Sequence, residues 1–201
     1  DFLDPLVLTI FIRKGYQMNT VDIPRLREIV GEQNIKTDPL DLYAYGADAS
    51  VYHAAPWVVV RPDNTGQVQK VLAYANDAKI PVVPRGGGSG MCGQTVSIKG
   101  GILLDMKNMN RILEINMPDV YCRVEPGVVD DDLNAALKPY GVFYPPTPAS
   151  SRIATIGGEI GNNASGVRSV KYGATRDAVM GLKVVLANGD LVTLGAHTRV
   201  E

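Results

Sequence analysis

The sequence has little cysteine, little histidine and no excess of either charge, and each shortage excludes a class of protein. Two cysteines, Cys92 and Cys122, in 201 residues cannot build a disulfide framework, and neither sits in a CxxC pair with metal-ligand spacing. A reducing, cytoplasmic compartment is the default expectation. Lys plus Arg number 20 against 21 Asp plus Glu, so no positive field exists to collect nucleic acid or an anionic membrane. The apolar run at residues 2–12 is about half of the roughly 20 residues that a membrane span needs. Its basic residues, Arg13 and Lys14, follow the apolar part, the reverse of a secretory signal. No membrane span is expected. Residues 1–17 read as an uninformative extension ahead of a domain over 18–201.

What the chain does have is 21 Gly and 13 Pro without a three-residue repeat, in a composition that is 45% hydrophobic and 20% charged. That is a globular, turn-rich chain whose function is expected in its loops. A short amphipathic helix is expected over 21–31, with Ile23, Leu26, Ile29 and Val30 at helical spacing and Gly31 past its end. A polar, Asp-rich loop follows. Residues 57–60 then read as a buried strand, Asp63, Asn64 and Thr65 offer N-cap oxygens for a helix with Val68, Val71, Leu72 and Ala75 on one face, and 80–83 read as the returning strand of a βαβ unit.

Directly after that strand comes Pro84-Arg85-Gly86-Gly87-Gly88-Ser89-Gly90-Met91-Cys92-Gly93, the strongest local feature of the chain. Gly-rich backbone at the carboxyl end of a strand can turn several N–H groups toward one point and admit a ligand without Cβ atoms in the way. A phosphate or pyrophosphate is the natural partner, and Arg85 complements its charge if the side chain turns inward. Gly88, Gly90 and Gly93 match GxGxxG, but the Rossmann fingerprint needs a helix to open at the glycines. Residues 94–99 are too short for that helix and run into Gly100-Gly101. Strands are expected at 102–105, 110–116 and 121–124, which embeds the glycine loop among strands.

Asp130 is expected to cap a helix carrying Leu133, Ala136 and Leu137 and stopped by Pro139 and Gly141. The triplet Asp130-Asp131-Asp132 reads as first-turn carboxylates favoured by the helix dipole, not as a metal site. About 30 loop-like residues follow, of a length that inside a compact domain is usually functional. A hairpin with its turn at Ala187-Asn188-Gly189 then closes the chain.

Six segments carry a resemblance: Val82-Val83-Pro84-Arg85-Gly86-Gly87-Gly88-Ser89-Gly90, Val124-Glu125-Pro126-Gly127-Val128, Tyr144-Pro145-Pro146-Thr147-Pro148, Thr155-Ile156-Gly157-Gly158, Lys171-Tyr172-Gly173 and Gly181-Leu182-Lys183-Val184-Val185-Leu186. Singly each is weak. In this order, over roughly residues 40–194, they resemble the flavin domain of the vanillyl-alcohol oxidase and p-cresol methylhydroxylase (PCMH) type. The nearest branch contains D-lactate dehydrogenases and the glycolate oxidase catalytic subunit.

The resemblance implies an α+β, PCMH-type fold in which two α+β subdomains hold an extended FAD between them. By motif, Arg85, Gly86, Gly87, Gly88, Ser89, Gly90 and Met91 would wrap the pyrophosphate. Pro148, Ala149, Ser150, Thr155, Ile156, Gly157, Gly158, Asn162, Ser165 and Gly166 would line the second wall, with Pro126 and Gly127 near the adenosine end. Some members of this superfamily attach FAD through His or Cys. The glycine loop here has no His, His53 and His197 lie outside the motifs, and Cys92 is read as a packing residue, so FAD is expected to be noncovalent.

In the resembling enzymes flavin N5 takes a hydride from the carbon bearing the hydroxyl group, while a base and a carboxylate-binding cation come largely from a C-terminal cap domain. The chain is expected to end before that domain, so no catalytic residue and no metal ligand is assigned. The leading expectation is the FAD-binding portion of a 2-hydroxyacid dehydrogenase or oxidase, with a small 2-hydroxy acid substrate and a separate electron acceptor. A flavin module completed by a partner subunit stands beside it. A reductase of UDP-N-acetylenolpyruvylglucosamine on the same fold ranks below both, because Gly90 stands where that enzyme's loop carries Asn. A Gly-rich protein without cofactor ranks last.

Overall fold

A computed structural model describes residues 21–195; the 1–17 extension and His197 lie outside the described residues. The first lobe is a four-stranded sheet in the order β1-β2-β4-β3, made of β1 (Ile35–Lys36), β2 (Val58–Val60), β3 (Val82–Arg85) and β4 (Ile102–Asp105). β2, β4 and β3 run parallel, and β1 joins β2 antiparallel. Helices α1 (Ile23–Val30) and α3 (Thr65–Asp77) place Leu26, Val30, Val68, Val71, Tyr74 and Ala75 in one core with Val58, Val60, Ile102 and Leu104. Both helices start where the sequence offers an acceptor. Asp22 takes the amide of Arg25 at 3.0 Å, and Asn64 that of Gln67 at 3.1 Å.

The strand-helix-strand unit exists, but β2 and β3 are not neighbours, because β4 lies between them. The burial explains the order. Every residue of β2 and β4 is buried, which suits the sheet centre, whereas β3 is only partly covered and carries Pro84, a residue that belongs on an edge strand.

The expected polar loop after α1 is also corrected. It contains β1 and a helix, α2 (Pro39–Tyr45), capped by Asp38, which accepts the Leu40 amide at 2.9 Å, and opened by Pro39. None of the residues of α2 is fully buried, so no apolar stripe marked it in the sequence.

The second lobe has its own core. The hairpin of β5 (Ile112–Asn116) and β6 (Tyr121–Val124) packs with α4 (Asp130–Leu137) and α5 (Ile156–Asn162) around Val128, Leu133, Leu137 and Ile156. Asp130 does not cap α4. Val129 occupies the cap, and Asp130 is the first helical residue, fully buried, with Oδ1 accepting the Asn134 side-chain amide at 2.7 Å. The loop-like stretch is corrected too, since it carries α5 and two single turns, α6 (Ser169–Tyr172) and α7 (Thr175–Ala178). Glycine is a poor helix former, and α5 holds three of them; tertiary anchoring and a cap override the propensity.

The final hairpin, β7 (Gly181–Val185) and β8 (Leu191–Gly195), pairs as expected and docks on α3. The Gln69 side chain donates to the Gly189 carbonyl at 3.1 Å. No helix of the described residues is long and apolar enough to cross a membrane.

Candidate functional site

The glycine loop leaves the carboxyl end of β3 and lies against the second lobe. A Cβ on Gly86 would collide with Thr155 Oγ1, and one on Gly87 with the carbonyl of Ile153. Farther on, Gln94 Nε2 donates to Asn162 Oδ1 at 2.6 Å, and the Cβ position of Gly90 is 3.7 Å from Asn162 Nδ2. The loop therefore runs beside α5 from its cap residue, Thr155, to its last residue, Asn162.

The loop is braced from behind by α2 and the segment after it. Tyr45 donates its hydroxyl to Asp105 Oδ2 at 2.7 Å, and burial, with Asp105 beside it, pushes the phenol up to about 12. Asp105 ends β4, is fully buried, and has Arg61 Nε at 3.5 Å and Lys107 Nζ at 3.6 Å. Arg85 does not turn toward the space in front of the loop. Its Nη1 donates to the Ala47 carbonyl at 2.8 Å and to Thr95 Oγ1 at 3.3 Å, and its guanidinium fills the place a Cβ of Gly88 would need. Gly88 has φ +67°, a conformation that glycine tolerates. Thr95 in turn donates to Asp48 Oδ2 at 3.2 Å. Burial raises the Asp48 pKa, but hydrogen bonds from Ser50 and Thr95 outweigh it and hold the carboxyl below its ordinary value.

With the loop held by its side chains, its backbone is left open. Among the described residues, no amide from Gly86 through Gln94 donates to a protein acceptor. A run of unspent N–H groups without Cβ shielding is an anion-binding cradle. The facing helix matches it. Thr155, Gly158 and Asn162 fall on one stripe of α5, and Thr155 and Asn162 both touch the glycine loop. Gly158 between them is exposed, and a Cβ there would meet only Thr155 Oγ1, at 3.3 Å.

The remaining sequence-derived positions join the same wall in different ways. Gly157 donates its amide to the Pro126 carbonyl at 2.9 Å and leaves no room for a Cβ against that proline. Gly127 is buried under the turn at 106–109, with the Met109 carbonyl 2.7 Å from its Cβ position. The Ser150 carbonyl accepts from Ala154 at 2.8 Å, a turn that leads Pro148, Ala149 and Ser150 into the α5 cap. A Cβ on Gly166 would collide with the Thr147 carbonyl and stand 3.0 Å from the Pro148 nitrogen. Ile156 is buried in the second core and faces away from the loop. Ser89 is half-buried, whereas Met91, Ala149 and Ser165 stand exposed.

Sequence reasoning passed over Tyr45, Asp48, Thr95 and Gln94. The first two lie in the stretch read as a polar loop, and the others in a short segment whose partners are remote in sequence. The His53 ring is tilted against Tyr43, ring centroids 4.5 Å apart, with Nε2 3.1 Å from the Tyr43 carbonyl oxygen. Among the described residues no three His, Cys, Asp or Glu side chains gather as metal ligands.

Two α+β lobes with a glycine-loop cradle and a bare helix stripe at their junction define a domain that binds a nucleotide-type cofactor. The chain belongs to the FAD-binding domain family, whose model matches residues 56–195. It is 41% identical over 180 residues to glycolate oxidase subunit GlcD of Bacillus subtilis, covering 89% of this chain and 38% of that protein. It is 39% identical over 180 residues to the mitochondrial D-lactate dehydrogenase [cytochrome] of Arabidopsis thaliana, covering 88% and 31%. A D-2-hydroxyglutarate dehydrogenase of Pantoea ananatis is 44% identical over 160 residues, covering 78% and 16%. The chain thus spans at most about two-fifths of the length of these relatives. Among solved structures, p-cresol methylhydroxylase with substrate bound superposes with TM-score 0.75 at 28% identity, covering 85% of this chain and 34% of that one. An alkyldihydroxyacetonephosphate synthase shares the fold with TM-score 0.78 at 23% identity, covering 92% and 35%. The PCMH-type α+β fold and FAD as its cofactor are thereby shown.

Proposed function

We propose that this chain is the FAD-binding part of a flavin-dependent oxidoreductase that oxidises a small 2-hydroxy acid and passes the electrons to a separate acceptor. The observation that carries the cofactor half of this reading is the open run of amides from Gly86 through Gln94 facing the Gly158 stripe of α5. A pyrophosphate satisfies such a cradle without a covalent bond, and noncovalent FAD is the form proposed. The substrate half rests on the relatives, whose names give glycolate, D-lactate and D-2-hydroxyglutarate, all 2-hydroxy acids.

When bound, FAD would supply the redox chemistry, a two-electron oxidation of the hydroxyl-bearing carbon. The residues of this chain bind and orient it. Gly86, Gly87, Gly88, Ser89, Gly90 and Met91 offer backbone N–H groups to the pyrophosphate. Arg85 holds the loop in shape by bracing it on the Ala47 carbonyl. Thr155, Gly158 and Asn162 form the opposite wall. No residue here is assigned as the base for the substrate hydroxyl or the cation for its carboxylate.

The share of the relatives that the chain spans supports a second reading, a flavin module whose substrate site is completed by other polypeptide. Purified chain is expected to carry flavin absorbance bands or to take up added FAD; colourless protein that binds none would sink both readings. Anaerobic addition of glycolate, D-lactate or D-2-hydroxyglutarate separates them. Bleaching supports a self-sufficient oxidoreductase, and persistent yellow colour supports the module.

A further inference from the structure

Behind the bare stripe of α5 lies a pair of acids that the cofactor site itself does not use. Asp130, at the start of α4, and Glu159, in the middle of α5, are both buried, 0% and 2% exposed. Asp130 Oδ2, both Glu159 carboxyl oxygens and the Tyr144 hydroxyl are buried without an ordinary hydrogen-bond partner. Two buried carboxylates offer four acceptor oxygens and no donor of their own; Asn134 supplies one donor to Asp130 and the Tyr144 hydroxyl stands beside Glu159, and a proton kept on one carboxyl supplies the donor between the two acids.

The groups around the pair do not supply an opposite charge in contact. On α4, Asp131 adds negative charge and Asn134 donates to Asp130 Oδ1 at 2.7 Å. From the other side come the neutral Tyr144 and Thr175. Arg168 draws on Asp130 only from a distance, its guanidinium lying 4.8 Å over the Phe143 ring, and no ion pair to either acid forms among the described residues. Burial first, and Asp130 second, push Glu159 up to about 8. Burial likewise raises Asp130.

We propose that Asp130 and Glu159 hold one proton between them and that this shared proton fixes α5 in the position that lines the flavin site, making the two acids positioning residues for the cofactor. The inference rests on the FAD reading above. The reason α5 depends on them is its composition. The helix has seven residues, three of them glycine, and its only buried residues are Ile156 and Glu159. Glu159 is adjacent to Gly158 and three residues before Asn162, so its attachment to α4 sets where those two stand against the glycine loop. Losing the proton leaves two buried charges side by side and levers α5 away from α4.

A carboxyl raised in the folded state holds a proton that the unfolded chain has already released, so the proton-dependent stability is present on the acid side and is lost as pH rises toward about 8. Flavin affinity, measured by fluorescence titration of the full chain from about pH 6 to about pH 10, is expected to hold on the acid side. It then falls by up to about tenfold per pH unit as the pH rises through about 8, the limit for one linked proton.

Glu159→Gln and Asp130→Asn each replace a proton-sharing carboxyl with an amide that cannot lose its donor. Both are expected to bind flavin at neutral pH; Glu159→Gln flattens the profile, whereas Asp130→Asn, which leaves Glu159 buried but removes the neighbouring charge, moves the fall to lower pH. A merely structural contact would shift affinity equally at every pH. A wild-type affinity flat across the range, or a variant that keeps the wild-type profile, overturns the proposal. The infrared carbonyl band of a protonated carboxyl, present in flavin-free wild type at neutral pH and lost in Glu159→Gln, reads the proton directly; its absence from wild type also overturns the proposal. Wild type that shows this band but binds no flavin at any pH overturns the functional reading instead.

Discussion

At the scale of single residues, the glycines of the site are of two kinds. Gly87 is small because the protein needs it to be: a Cβ there would meet the Ile153 carbonyl, with the carbonyl carbon at 2.8 Å. Gly157 is likewise confined by Pro126. Sequence alone reads both as room for a ligand, because a glycine required by neighbouring backbone and one required by a cofactor look the same in a one-dimensional string. Gly158 is the other kind, with only the Thr155 hydroxyl near its Cβ position and the loop across from it. Gly87→Ala is therefore expected to cost about 1–3 kcal/mol of stability in urea denaturation, an overpacking penalty. Gly158→Ala is expected to leave stability within about 0.5 kcal/mol, because alanine favours the helix and offsets the mild crowding. Its flavin affinity should nonetheless fall about tenfold or more. Equal stability losses in the two variants would erase the distinction.

At the scale of elements, the regular pieces were legible where burial and capping coincide. Leu26 and Val30 mark α1, Val68 and Val71 mark α3, and the all-apolar β2 and β4 announce themselves as central strands. The helices α2 and α5 were not legible, for opposite reasons. In α2 the cap signal of Asp38-Pro39 is present but no residue is buried, so there is no stripe to read. In α5 the stripe is broken by Gly157, Gly158 and Gly161, and the helix is held by a cap and by contacts distant in sequence. Thr155 is that cap, 1% exposed, with its Oγ1 3.3 Å from the Gly158 amide. Thr155→Ala is expected to cost about 1 kcal/mol, the usual worth of an N-cap oxygen. Because Thr155 also abuts Gly86, amide exchange should accelerate in α5 before it does in α1 or α3. Uniform acceleration across all three helices would argue for global unfolding instead.

At the scale of the whole molecule, two separate cores meet at the site through few contacts. One core holds Leu26, Val71 and Ile102, the other Val128, Leu133 and Ile156. Sequence periodicity could find the members of each core but not the division between them, because nothing local in β3 shows that its glycine loop leaves one lobe to lie on the other. At the site the lobes meet through Gly86 on Thr155, Gly87 on Ile153 and the Gln94–Asn162 hydrogen bond. A single neutral hydrogen bond contributes only about 0.5–1.5 kcal/mol, so a cofactor that spans both walls adds a large share of their coupling. Flavin at about one hundred times its dissociation constant stabilises whatever state binds it by about 2.7 kcal/mol. Because binding needs both walls in place, that stabilisation acts on the lobes jointly. Calorimetry of flavin-free chain is expected to show a broad transition or two overlapping ones, and saturating FAD to merge them into a single sharper transition at higher temperature. Gln94→Ala removes that side-chain bond, so it should separate the flavin-free transitions further while FAD still draws them together. A transition that moves upward with FAD for one lobe only would mean that the cofactor sits on a single wall and does not bridge the two.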